Sequence, residues 1–560
     1  MKSQIFSTLR EFFWSYPDKL RLLHIKTRPL GFIILSGLIS ILLVSQFSSP
    51  FFFSVMSKQR SDVFTEGMVG SISTFNPMFV TGSDIDRALF ELVYTRLIEI
   101  DDQGEPLPAL AYEWDLTEDG RGIRFLLRED MYWHDGEEVT AQDVEYTIKK
   151  AIKLSDQGQD TFGFGLSGVD VTSESDHSIV IHFEEIVSSV YESLSVFILP
   201  EHIISNVNDR DMYDLGRATL PIGSGPYFIR SLHSDTIDLS SWEMYPLKPN
   251  IKDLRLIYFT DEKSLLTAFK NNLLDAVSNV DDFRSSLGGQ YPKFKINTIP
   301  IDQRKKMLYF NLRNSKLQSL ELRTAIVEAI DREQIVENIP EAYKVSDTPL
   351  SEDSWAYKST ENPYPYSTEK SAEQLVAGGY VLDEETGLYQ NSDGEPLTLS
   401  IVYLDNDTNR MIAEMITEML KKVGVTIIST GVGYDSLINE VLATRNFELL
   451  LIELEITADP DQYNLWHSTK KNYPDLNIAG YEYNRVDVLL ERARLESDRA
   501  VRSEDYRQIY RFITNEIPAL VLYEPSYTYI IHQRVTGVDL NDADFPYKRY
   551  ANIVEWKFSE

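Results

Sequence analysis

The sequence predicts a mixed α/β protein carried behind an N-terminal membrane-spanning helix. Three observations lead there. Residues 29–57 hold no charged side chain. Between Leu397 and Leu454 the hydrophobic pattern switches from strand to helix and back, twice. The 560 residues show no fixed-period repeat or low-complexity tract, and that length suits about three or four globular units.

The membrane segment comes first in the chain. Its apolar centre runs from Leu30 to Val44, and Leu30 to Phe53 supplies the roughly 20 residues a spanning helix needs. Residues 1–57 carry Lys2, Arg10, Lys19, Arg21, Lys26 and Arg28 against Glu11 and Asp18. That is a net of +4, so −37 of the overall −33 lies in the remainder. The positive-inside rule therefore places residues 1–28 in the cytoplasm, 29–57 as an anchor, and the acidic body outside. A cleaved signal peptide is the competing reading, but no A-x-A-like site follows and the basic region is long. Either way the body is extracytoplasmic. Its acidity excludes nucleic acid as a partner. The absence of Cys excludes disulfides, thiolate metal sites, a Cys nucleophile and a lipid-modified Cys anchor.

After a polar linker at 58–62, residues 63–205 are rich in strands and turns. Asp101–Gly104, Asp119–Gly122 and Asp135-Gly136 are turns, with strand-like Ile123–Arg128 between them. Ala141 to Ile152 reads as a helix with Thr140 as N-cap. Leu254–Phe259 reads as a strand, and Leu265, Leu266, Phe269 and Leu273 recur at helical spacing after it. Leu397–Leu404 is a strand. Met411, Ile412, Met415, Ile416, Met419, Leu420 and Val423 form a core-facing helical stripe closed by Gly424. Val425–Ser429 is a strand, Leu437, Ile438, Val441 and Leu442 mark a helix, and Phe447–Leu454 is a strand covered on both faces. Such a series implies parallel strands with right-handed crossovers.

Open α/β sheets bind ligands beyond the carboxyl ends of their strands. The loop leaving Leu454 carries Asp459 and Asp461, followed by Tyr463 and Trp466, which makes it the best candidate site. Other motifs fail. Gly163–Gly168 fits G-x-G-x-x-G without a strand–turn–helix context. Asp115–Gly120 opens like a calcium loop, but its twelfth position is Leu126. There is no H-E-x-x-H, Walker A or G-x-S-x-G sequence, and the eight His are scattered. No cofactor or metal is expected.

Several stretches run in the order of a known family. They are Gly67–Gly70, Phe75-Asn-Pro77, Tyr94–Leu97, Pro108–Trp114, Trp133-His-Asp-Gly-Glu-Glu-Val-Thr-Ala-Gln-Asp-Val144, Gly223-Ser-Gly-Pro-Tyr227, Asn311, Ala325–Asp331, Trp355-Ala-Tyr357, Tyr364–Tyr366, Ala458-Asp-Pro-Asp461 and Ile513–Pro518. In these the chain resembles the extracytoplasmic solute-binding proteins of ABC importers, of the oligopeptide- and dipeptide-binding type, over about 63–540. The resemblance implies a two-lobed, periplasmic-binding-protein-like (Venus flytrap) α/β fold. Lobe I would comprise 63–300 and 525–560, with an inserted subdomain at about 100–205, and lobe II 301–524. It also implies a peptide or other small solute as ligand and ABC permease subunits as partners. By resemblance Asp459 holds the ligand's α-amine, with Asp461 as the alternative. Phe75 and Asn76 would face the cleft from the other lobe. Tyr463, Trp466, Trp355 and Tyr357 would form apolar walls. Trp133 and His134 are read as a packed hairpin.

The expectation is therefore a monomeric, membrane-tethered binding protein that makes and breaks no bond. Two rivals remain: a sensor or scaffold of the same fold signalling to a membrane partner, and a glycoside hydrolase using Asp459 or Asp461 with a distant Glu.

Overall fold

The computed structural model describes residues 62–560 except 218–219, 279, 281–290, 359–361, 542 and 560. The segment 29–57 read as a membrane anchor lies outside them. Among the described residues no helix is long and apolar enough to cross a membrane.

The chain starts with strand Val63–Val69 and helix Asp84–Val93, then enters a small antiparallel sheet. Its strands Ala111–Leu116, Gly122–Leu127, Ser178–His182 and Asp170–Ser175 lie side by side in that order. The helix expected from Ala141 runs to Asp156, and Thr140 caps it: Asp143 Oδ2 accepts the Thr140 N–H at 2.8 Å. Trp133 is enclosed in this subdomain's core with Ile123, Phe125 and Ile148. The three turn glycines take positive φ: Gly104 at 78°, Gly120 at 66° and Gly136 at 94°.

The Gly223-Ser-Gly-Pro-Tyr227 stretch is a packing junction. A Cβ on Gly223 would lie 1.9 Å from the Val93 carbonyl oxygen. His134 Nδ1 accepts the Gly223 N–H at 3.2 Å, and its Nε2 lies 3.0 Å from the Gly225 carbonyl, so Nε2 must carry the proton. Burial pushes this imidazole down to about 4, which keeps it neutral. Gly223→Ala should cost about 3 kcal/mol or more in unfolding free energy. A urea midpoint matching the parent would show that the junction yields instead.

The main sheet of lobe I holds strands Val63–Val69, Tyr227–Leu232, Thr236–Ser241, Asp253–Phe259, Ala276–Ser278 and Phe294–Pro300. The helix after Phe259 covers Glu262–Lys270, capped by Asp261. It stops before Leu273 because Asn272 turns left-handed at φ 55°, so Leu273 lies beyond the expected stripe.

The third part matches its pattern closely. Strands Thr398–Leu404, Thr426–Val432 and Leu449–Glu455 are parallel, with Thr398–Leu404 between the other two. Helix Asp407–Lys422 joins the first pair, and Gly424 follows it at φ 80°. Ile412, Ile416, Met419 and Leu420 are buried, whereas Met411 is exposed and leaves the stripe. A turn of helix at Tyr434–Ser436 continues as a π-helical segment, Leu437–Leu442. Leu449 and Leu451 enter one core and Leu450 the other, so Leu449–Glu455 is covered on both faces where it begins.

Strand Ala519–His532 runs through both lobes. Its first half pairs with Arg304–Phe310 and its second with Phe294–Pro300, both antiparallel. The chain thus passes between the two sets of cores at Pro300–Arg304 and at Glu524–Ser526. Lys305 and Glu524 form a fully buried ion pair there.

Candidate functional site

Two opposed surfaces meet beside these crossings. On lobe I, helix Asp84–Val93 presents Asp84 and Arg87. Arg304 reaches Asp84 Oδ1 at 2.6 Å and Glu455 at 3.3 Å. Arg87 Nη1 bonds both oxygens of Glu455, at 2.8 and 2.9 Å. Glu455 ends the strand whose exit loop was singled out from sequence.

Next to this ladder is a cavity of about 340 Å³ with walls from both lobes. Arg87, Glu192, Tyr547 and Lys548 come from lobe I, Glu455 and Thr457 from lobe II. That volume suits a small solute. Charges of both signs line it, which favours a dipolar ligand over a purely apolar one. Arg96 and Glu99 also border it, and burial pushes the Glu99 carboxyl up to about 7 against the opposing Arg96.

The carboxylates expected to hold an amine are occupied from within lobe II. Arg502 Nη2 donates to both oxygens of Asp459, at 2.7 and 2.8 Å. Burial raises the Asp459 carboxyl and Arg502 opposes that rise. Arg494 Nε donates to Asp461 Oδ2 at 3.0 Å, and Asp461 Oδ1 accepts the Tyr463 N–H. Asp459 Oδ1 in turn accepts the Asp461 N–H at 2.9 Å. The loop is therefore folded around its own carboxylates.

The expected aromatic walls divide. Trp466 is enclosed in the lobe II core, stacked on Tyr309 with centroids 6.2 Å apart, its Nε1 donating to Gln462. Tyr463 stacks on His467 at 4.2 Å and lies under the Arg494 guanidinium. Trp355 is part-exposed, with the Arg502 and Arg499 guanidinium groups over its ring at 4.9 and 5.2 Å. Tyr357 packs at the edge of the same core. On lobe I, Phe75 is buried in the core and Asn76 holds its own turn, donating to the Met212 carbonyl and accepting the Met78 N–H. Trp466, Phe75 and Asn76 are thus packing groups rather than cleft walls: each is buried with its contacts inside one lobe.

The loop also touches lobe I directly. Asp459 N donates to Glu192 Oε1 at 2.7 Å, Ser189 Oγ donates to Asp461 Oδ2 at 2.9 Å, and Ser188 N donates to the Arg494 carbonyl at 2.9 Å. Sequence reasoning missed Arg87, Glu192, Arg494 and Arg502, since no local pattern marks them. Glu455 was legible, as the residue at the strand's carboxyl end. Among the described residues no cluster of His, Asp and Glu could hold a metal ion.

Comparison with known proteins follows this geometry. The family model for bacterial extracellular solute-binding proteins, family 5 (middle region), matches residues 105–474. Oligopeptide-binding protein AppA of Bacillus subtilis is 24% identical over 505 residues, covering 88% of this chain and 90% of its own length. Di/tripeptide-binding protein 1 of Pseudomonas aeruginosa is 22% identical, covering 84% and 91%. The solved structure of B. subtilis AppA with a nonapeptide superposes with a TM-score of 0.75 at 23% identity, over 89% of this chain and 99% of that one. NikZ from Campylobacter jejuni with Ni(L-His) gives 0.74 at 23% identity, with the same coverage. These similarities establish the two-lobed periplasmic-binding-protein fold. With the family model spanning most of the folded body, the chain belongs to the bacterial extracellular solute-binding proteins, family 5.

Proposed function

We propose that this chain is a membrane-tethered extracytoplasmic receptor that captures peptides or peptide-like solutes and delivers them to the permease of an ABC importer. Residues 29–57 anchor it. Lobe I, 63–300 with 525–560, and lobe II, 301–524, close on the ligand about the two crossings. The observation that carries this reading is the interlobe cavity, walled by Arg87 and Lys548 on one side and Glu455 on the other. A short peptide is dipolar and small enough to sit between such walls, and charge-assisted hydrogen bonds to its termini contribute about 1.5–3 kcal/mol each. Relatives named for oligopeptide and di/tripeptide binding support the same ligand class. The ligand must prefer the closed arrangement, because that difference drives closure.

The test is mass spectrometry of ligand released from the full chain purified in mild detergent. Short peptides are the expected result. A sugar, a metal chelate or turnover of an added glycoside would overturn the reading. The cavity itself is tested by Thr457→Trp, which fills it from an exposed loop position. Affinity for the released peptide should fall at least tenfold with the melting temperature unchanged. Unaltered affinity would place the ligand elsewhere.

A further inference from the structure

The short segment Ser188–Glu192 of lobe I carries a carboxyl group into an acidic corner of lobe II. Its contacts with lobe II are the three already given, from Ser188, Ser189 and Glu192. On the lobe II side Glu192 faces Asp459 and Asp461 and the Thr457 hydroxyl. The two nearby arginines are committed: Arg502 to Asp459, Arg494 to Asp461. On its own side, Arg96 pairs with Glu91 and Glu99, Arg87 with Glu455, and Lys548 with Asp544. Arg499 pairs with Glu105, and the Tyr191 phenol lies near Glu105. Among the described residues no cation pairs with Glu192. A charged carboxylate there would meet two others in a water-poor interface.

We propose that Glu192 is a proton-operated latch between the lobes: the closed form carries its carboxyl protonated, and opening returns the proton to solvent. This rests on the two-lobed capture reading above and gives it a pH dependence. Burial, with the Asp459 and Asp461 charges adding to it, pushes the closed-state carboxyl up to about 8, while the Asp459 N–H opposes the rise. In the open form the carboxyl meets water and titrates near the usual glutamate value of about 4.3. The closed state therefore binds more protons throughout the interval between these values. Closure weakens as pH rises through it and is strongest at the acid end. Glu192 is thus a positioning residue for capture and needs no contact with the ligand.

The experiment reads closure without any ligand, so it is independent of whether peptides are the cargo. The chain has no Cys, so Glu118→Cys and Lys421→Cys place a donor and an acceptor dye on exposed positions of opposite lobes. Energy transfer is followed from pH 5.5 to pH 8 on the full chain in detergent micelles. The closed-to-open ratio should fall at least tenfold across that range. With Glu192→Gln added, which mimics the protonated group, the ratio should change less than twofold and stay at its acid value. Ser189→Ala removes a neighbouring lobe contact without removing the titrating group, so it should shift the ratio but keep the slope. A flat profile in the parent, or the same slope with Glu192→Gln, overturns the proposal.

Discussion

Asp459→Ala lowers the stability of the ligand-free protein by about 3–5 kcal/mol, the cost of leaving a buried charge without its partner. Arg502 and Asp459 keep only 6% and 7% of their side-chain surface exposed. The arginine's remaining neighbours, Trp355 and Tyr506, offer it ring faces and a hydroxyl but no counter-charge. The Asp461 N–H loses its acceptor as well. Ligand affinity would then fall through lost order in the loop rather than through a lost amine contact. Thermal unfolding of the ligand-free variant separates the two roles. A melting temperature equal to the parent's, with binding at least tenfold weaker, would return Asp459 to the ligand's amine and displace Arg502 from its partnership.

That residue also shows where sequence reading stops. The parallel strands from Thr398 to Glu455 were legible because they are buried on both faces, and such burial leaves runs of apolar residues with helical stripes between them. Thr140 was legible because a cap and its helix are local. The turns at Gly104, Gly120 and Gly136 were legible for the same reason. Asp459 and Asp461 were correctly picked as unusual, yet their partners lie 43 and 33 residues further along, on two later helices. No periodicity in the loop announces an arginine at that distance. Trp466 misled in a related way. It follows a polar loop, but the short helix Tyr463–Trp466 turns it inward onto Tyr309. Glu192 gave no signal at all, because only the approach of one lobe to the other makes its position acidic.

Glu524→Gln should be among the most damaging single changes, at about 3–5 kcal/mol, because it strands Lys305 in a site with no exposed surface. Lys305→Met should cost less, since Glu524 keeps Lys344 at 3.3 Å, and Lys344 reaches solvent. The pair joins both chain crossings: Lys305 lies on the strand leaving the first and Glu524 on the strand entering the second. Burial holds the Lys305 ammonium below the ordinary lysine value of 10.5, with Glu524 opposing. The folded chain therefore sheds that proton before the unfolded chain does. In the window below 10.5 the unfolded state binds more protons, so this residue makes stability rise with pH there. Removing the opposing carboxylate widens the window downward, and the Glu524→Gln variant should regain stability on moving from neutral to alkaline pH more steeply than the parent. The double replacement Lys305→Met with Glu524→Leu should be neutral or stabilising by about 1–4 kcal/mol, because two desolvated charges are exchanged for packed apolar groups. Urea unfolding of the three variants at pH 7 and pH 9.5 tests the whole set. A Glu524→Gln cost below about 1 kcal/mol, or a double variant as unstable as that single one, would show that the crossings are held by their strand hydrogen bonds and not by this pair.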